Sequence, residues 1–177
     1  MRTLEQQQRG VLALIKERPA NLDGDPWLQS LVSSREIGMA REIALWWRRF
    51  QIESQCRYTS RLMKRLGCFE FEVANYFQSN PTSPYIEQLA PAFLKLMQDH
   101  TDSLLSCVAK FELACIELRS GKLSDRHIVW DRDPNLTMSA LDEFTSLPVR
   151  EPRVQYLMEI SDAIPGYIAC VREERLE

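Results

Sequence analysis

Histidine, glycine and paired cysteine are scarce in this chain, and each scarcity removes a class of chemistry. Two of the 177 residues are histidine, His100 and His127, and they stand far apart. A zinc or iron centre needs clustered ligands, so the spacing offers no metal site. The five cysteines, Cys56, Cys68, Cys107, Cys115 and Cys170, form no Cys-x-x-Cys pair. Cys107 and Cys115 would lie about 12 Å apart along one helix, too far for a disulfide. Reduced thiols, most of them acting as small apolar side chains, are the expectation. The six glycines build no phosphate-cradling loop, and no Gly-x-Ser-x-Gly elbow occurs. The expectation is a chain with no catalytic residues and no cofactor of its own.

Long apolar runs are missing too. Charges interrupt every hydrophobic stretch after a few residues, so no transmembrane helix is expected. The opening MRTLEQQQRG lacks the apolar segment of a secretory signal, which points to the cytoplasm. What is present is ample core material: 45% of the residues are hydrophobic, which argues against global disorder. The net charge is −3, unevenly spread: residues 35–65 hold eight basic and three acidic side chains, net +5, leaving −8 for the rest. A basic segment in an acidic chain suits an acidic partner, an acidic peptide or nucleic acid, or is simply a solvated helix face.

The pattern of apolar positions is helical for about 118 residues. Thr3 to Lys16 reads as a helix ended by Arg18-Pro19, and Asn21 to Pro26 as a loop. Ser33 or Ser34 can cap a long helix on which Met39, Ile43, Trp46 and Phe50 share one face, flanked by Trp47. Adjacent tryptophans on a helix point to core or to an interface. A further helix ends at Leu66 before Gly67, with Leu62, Leu66, Phe69, Val73 and Phe77 as apolar positions around the junction. Ser83-Pro84 suits a helix start, and Pro91 is read as opening another short helix that buries Phe93, Leu94 and Met97. Leu104, Val108, Phe111, Cys115 and Leu118 mark a last stripe. After Ser120-Gly121 the pattern changes to a strand at His127–Trp130, a helix over 136–147 with Ala140, Leu141 and Phe144 on one face, and strands at Val154–Ile160 and Tyr167–Val171, the last two a hairpin. The predicted fold is mainly α: a helical bundle domain over residues 1–120, then a β-α-β-β unit with a three-stranded sheet over 121–177.

Three clusters invite chemistry. Glu112 lies on an otherwise apolar helix, and a buried carboxylate is normally paired, so an arginine such as Arg48 or Arg61, or several backbone donors, is expected at it. Trp130-Asp131-Arg132-Asp133-Pro134 could be an acidic metal loop, but a strand end followed by an Asp-Pro turn is the preferred reading. Arg57, Arg61, Lys64 and Arg65 before Gly67 outline a possible DNA-binding helix-turn-helix. Against that stand the core-like Leu62, Leu66, Phe69 and Val73, and a pI of about 5.6, poor for binding phosphates unaided.

The order of residues Arg61, Leu62, Arg65, Leu66, Gly67, Phe71, Ala74, Tyr76, Pro81, Ser83, Phe93, Leu94, Leu105, Ala109, Glu112 and Ala114 resembles the HvfC-type proteins, a family often labelled DNA-binding. The match spans roughly residues 45–118, with Thr59 where the family usually has proline after an aromatic residue. Gln7-Gln8 in the first helix is similar in a looser way. The shortness of the chain and its β-containing C-terminal unit are similar to the short members, those of methanobactin and 3-thiaglutamate biosynthesis. The resemblance implies a heterodimer with a TIM-barrel enzyme that carries two or three non-haem irons and modifies cysteine in a ribosomally made precursor peptide. Iron and catalysis would belong to that partner, and this chain would stabilise the enzyme and recruit the leader peptide.

Two surfaces follow as expectations. Trp46, Trp47, Arg48 and Arg49 form the predicted partner interface. Tyr167, Ile168, Ala169, Cys170, Val171 and Arg172 form the predicted peptide-binding edge strand, with His127–Asp131 as the competing edge. No membrane contact is expected, and nucleic acid is the alternative partner.

Overall fold

A computed structural model describes residues 3–16, 25–79, 86–122 and 125–174. Among them run eight helices and three strands. The helices are α1 (Leu4–Ile15), α2 (Pro26–Leu31), α3 (Arg35–Gln55), α4 (Arg57–Leu66), α5 (Phe69–Ser79), α6 (Ile86–Met97), α7 (Ser103–Arg119) and α8 (Pro134–Glu143). The strands are β1 (Asp125–Trp130), before α8, then β2 (Val154–Ser161) and β3 (Ile168–Glu174). The fold is mainly helical with a C-terminal three-stranded antiparallel sheet, as the sequence pattern predicts. No described helix is long and apolar enough to cross a membrane.

The chain divides into two compact units. One unit holds Met1–Gln51 with Phe71–Thr82; the other holds Ile52–Glu70 with Ser83–Glu177. The sheet shares its unit with α4, α6 and α7 because α7 packs on β1 and β2. Three strands cannot hide an apolar face by themselves and need such a cover.

In the first unit, Thr3 and Gln6 make a capping box that starts α1. Gly10 lets α2 approach: a Cβ there would meet Leu28 Cδ1 at 2.6 Å. Sequence patterning reads the approach to α2 as loop. Asp25 in fact caps α2, its Oδ1 accepting the N–H groups of Trp27 and Leu28 at 3.1 Å, with Pro26 at the first helical position. The Asp-Pro pair carried that signal, but six residues are too few to show helical periodicity. Ser34 Oγ accepts the Ile37 N–H at 3.2 Å and caps α3.

In the second unit, Gly67 (φ 71°) ends α4 in a left-handed turn, where Gly67 and Cys68 donate to the carbonyls of Lys64 and Met63. Leu66 is exposed there, contrary to its expected core role, while Leu62 and Met63 are fully buried. Pro91 lies inside α6 instead of opening a new helix, and Phe93, Leu94 and Met97 are buried as expected. The Ser83-Pro84 start falls outside the described residues. Asp102 caps α7, whose buried face runs through Leu105, Val108, Ala109, Glu112 and Leu113. That face is rotated from the predicted stripe, so Phe111, Cys115 and Leu118 are only partly covered. Phe144 is not a core position: it follows α8 at φ 57° and is exposed, whereas Ala140 and Leu141 are buried.

The sheet order is β1-β2-β3. Register pairs Ile128 with Met158 and Met158 with Cys170, and places Trp130 beside Tyr156 and Tyr156 beside Arg172. Ile128, Trp130, Tyr156, Met158 and Ile160 are buried on the face toward α7. The alternation of two then puts Val129, Leu157 and Val171 in one row on the opposite face.

Candidate interaction surfaces

α3 carries an exposed apolar stripe. Met39, Ile43, Trp46, Trp47 and Phe50 are 51%, 63%, 61%, 49% and 48% exposed. The three rings touch one another: Trp46 and Phe50 stack at 5.9 Å between centroids, Trp47 and Phe50 at 5.6 Å, and the two indoles lie at 6.2 Å. The spacing that suggests core or interface is therefore not core within this chain. Arg48 does not share this face. It points the other way, its guanidinium over the Phe77 ring at 4.9 Å, into a cleft of about 370 Å³ lined by Ile15, Arg41 and Leu45 among others. Of the four predicted interface residues, the structure brings together Trp46 and Trp47 and places Arg49, half-buried, at their flank.

The basic helix α4 turns its charge inward, onto α8. Arg57 and Arg61 both pair with Asp142, and the Tyr58 hydroxyl donates to Asp142 Oδ2 at 2.9 Å. Arg61 also donates to the Leu141 carbonyl at 3.2 Å, and Arg65 to the carbonyls of Ala140 and Thr145. These acceptors sit at the C-terminal end of α8, where the helix dipole favours cations. Phe144 completes the joint by lying under the Arg61 guanidinium, 4.8 Å from its centroid. Lys64 pairs with Glu53. The partners of these cations are some 80 residues away in sequence, or on another helix, which is why spacing alone does not reveal them.

Glu112 has no arginine at its carboxylate among the described contacts. Its Oε1 accepts the Tyr58 N–H and its Oε2 the Thr59 N–H, both at 2.8 Å. The N-cap of α4 is Cys56, whose side chain makes no capping bond, so α7 supplies the missing cap from across the unit. Burial raises the Glu112 pKa, while hydrogen bonds from Thr59 and Tyr58 and the charge of Arg57 act in the opposite sense. The Cys56 thiol is pushed well up by burial and by the nearby Glu112. A buried thiol of that kind is protonated and inert.

The acidic loop is structural. Asp131 pairs with Arg132 and Arg150, and Asp133 caps α8 through the N–H groups of Asn135 and Leu136. Among the described residues no three His, Cys, Asp or Glu side chains are grouped to hold a metal.

β1 and β3 are both edge strands, and they differ in cover. Ser161 N–H donates to the Tyr167 carbonyl at 3.0 Å. In an antiparallel ladder hydrogen-bonded pairs alternate, so Ala169, Val171 and Glu173 bond to β2 while Ile168, Cys170, Arg172 and Glu174 present N–H and C=O outward. The same parity turns the Val129 carbonyl of β1 outward, where it accepts the Cys107 thiol at 3.2 Å. The β1 edge is thus partly occupied by α7. β3 is mostly exposed along its length. Tyr167, expected as its first residue, belongs to the preceding turn at φ 70°.

No family model, curated protein or solved structure matches this chain.

Proposed function

We propose that this chain is a non-catalytic, cytoplasmic subunit that docks through the α3 stripe on a multinuclear non-haem iron enzyme of TIM-barrel fold. It holds the leader of a ribosomally made precursor peptide, in which the enzyme modifies cysteine. The α3 stripe carries this reading: five large apolar side chains, three of them a ring cluster, stand in solvent on one helix. Each is about half covered already, so covering the rest contributes about 1 kcal/mol apiece, together a drive toward a protein partner. The nature of that partner rests on the resemblance of residues 45–118. The outward backbone groups of β3 support the peptide role, since an extended leader can add there as a fourth strand.

The alternative, a DNA-binding module, needs α4 to offer cations to phosphate. Arg57, Arg61, Lys64 and Arg65 instead engage Asp142, Glu53 and the end of α8. The geometry therefore favours the subunit over the nucleic-acid reading.

Co-expression with a multinuclear non-haem iron enzyme of the proposed class tests the proposal. A one-to-one complex with iron in the other chain, binding the precursor peptide, is the expected result. A chain that purifies alone and binds duplex DNA with a steep salt dependence would favour the alternative.

A further inference from the structure

The stripe on α3 keeps to one face of the helix. Met39, Ile43, Trp46 and Phe50 follow one another at steps of four, three and four, the a/d seam of a helix that packs lengthwise on another helix. Glu36 and Glu53 continue that spacing and close the apolar seam at either end. Beside the seam, Glu42 and Arg49 occupy equivalent flanking positions one heptad apart, and Ala40 and Trp47 do so on the other side.

These positions complement themselves when the helix meets its own image running antiparallel. In the register that sets Ile43 against the second copy's Trp46, Met39 falls against the second copy's Phe50, and each contact occurs twice. The same register sets Glu42 beside the second copy's Arg49, again twice, and sets the small Ala40 beside the large Trp47. Opposite charges and opposite sizes meet without any adjustment of spacing. That is the self-complementarity of a two-fold interface. The acidic ends would bring Glu36 toward Glu53, and Lys64 already pairs with Glu53.

We propose that, in the absence of its enzyme, a second copy of this chain covers the stripe in an antiparallel α3–α3 pair. The apolar seam is about 18 Å long and a helix about 10 Å wide, well below the roughly 800 Å² per partner of a standard interface. The pair is therefore reversible and depends on concentration. Exposed ion pairs add little affinity, so Glu42 and Arg49 fix the direction and register of the pair more than its strength. The consequence for assembly rests on the proposed subunit role: the second copy and the enzyme compete for one face, so the homodimer is a holding state.

Sedimentation velocity on the purified chain alone, from micromolar to near-millimolar concentration, tests the pairing. The expected result is a reversible species of twice the 20.6 kDa chain mass at the upper end. Trp46→Glu abolishes it. Glu42→Arg and Arg49→Glu each weaken it several-fold, and the two together restore it, because the swapped charges face each other again. Circular dichroism checks that each variant is folded, and Ile43→Glu replaces Trp46→Glu should that variant not fold. A chain that stays monomeric throughout overturns the inference, as does a dimer indifferent to Trp46→Glu or a double charge swap that fails to rescue. Formation of the enzyme complex is measured separately, so a monomeric chain that still binds the enzyme would sink this pairing and leave the subunit reading standing.

Discussion

Glu112 joins two helices with one side chain. It sits on α7, yet it satisfies backbone donors of α4, and the residue that should cap α4 locally is a cysteine with no such capacity. Glu112→Ala strands the Tyr58 and Thr59 N–H groups, and we expect a loss of about 2–4 kcal/mol in urea unfolding, since each unmet buried donor costs about 1–3 kcal/mol. Its pKa is raised from the usual 4.5, mainly by burial. A carboxyl raised on folding contributes stability that is full below its unfolded pKa and lost as pH rises through the folded value. The stability difference between the natural chain and Glu112→Gln should therefore be greatest below about pH 4.5 and shrink above it. A difference that grows with pH would contradict the assignment. Asp142 is the second such residue. Asp142→Asn weakens its contacts with Arg57, Arg61 and Tyr58, and because the site is a third open to solvent we expect only about 1–2 kcal/mol. Near-additivity with Tyr58→Phe in a double-mutant cycle would show that the two do not act together.

The β3 strand gives the sharpest statement about an element. Ala169 bonds inward to β2 and Cys170 faces outward, by the parity that the Ser161–Tyr167 bond sets. Ala169→Pro should lower the melting temperature, because it removes a ladder bond, while Cys170→Pro should leave it nearly unchanged and remove a donor needed by an added strand. The reverse order, in thermal unfolding followed by circular dichroism, would place the hydrogen-bonding parity one residue off. Helix and strand existence was legible in the sequence wherever a period ran long enough, as in α3, α7 and β2. α2 escaped because it is short, and Pro91 misled because proline is tolerated inside α6 although it more often marks a start. At Glu112 the structure supplies the backbone donors that were one of the two expectations, because sequence shows which group must be satisfied but not which distant helix start will do it. Arg48 was assigned to the tryptophan face by adjacency, whereas one step along a helix turns the side chain by about a hundred degrees, here into the Phe77 cleft.

At the scale of the whole molecule, large apolar side chains stand open at several places among the described residues, Leu66, Phe71 and Phe144 among them, and α3 gathers five of them on one helix. The long helix keeps Ile37 and Ile52 buried while Met39, Ile43, Trp46, Trp47 and Phe50 stand open. The sequence made that stripe legible as core or interface; only the fold separates the two, because burial depends on what the rest of the chain can reach. The most direct test of the subunit account is the complex formed on co-expression with the iron enzyme, measured by mass and iron content for the natural chain and for a Trp46→Glu, Phe50→Glu variant whose fold is verified by circular dichroism. The account predicts a one-to-one, iron-containing complex with the natural chain and its loss with the variant. An unchanged complex with the folded variant would contradict it.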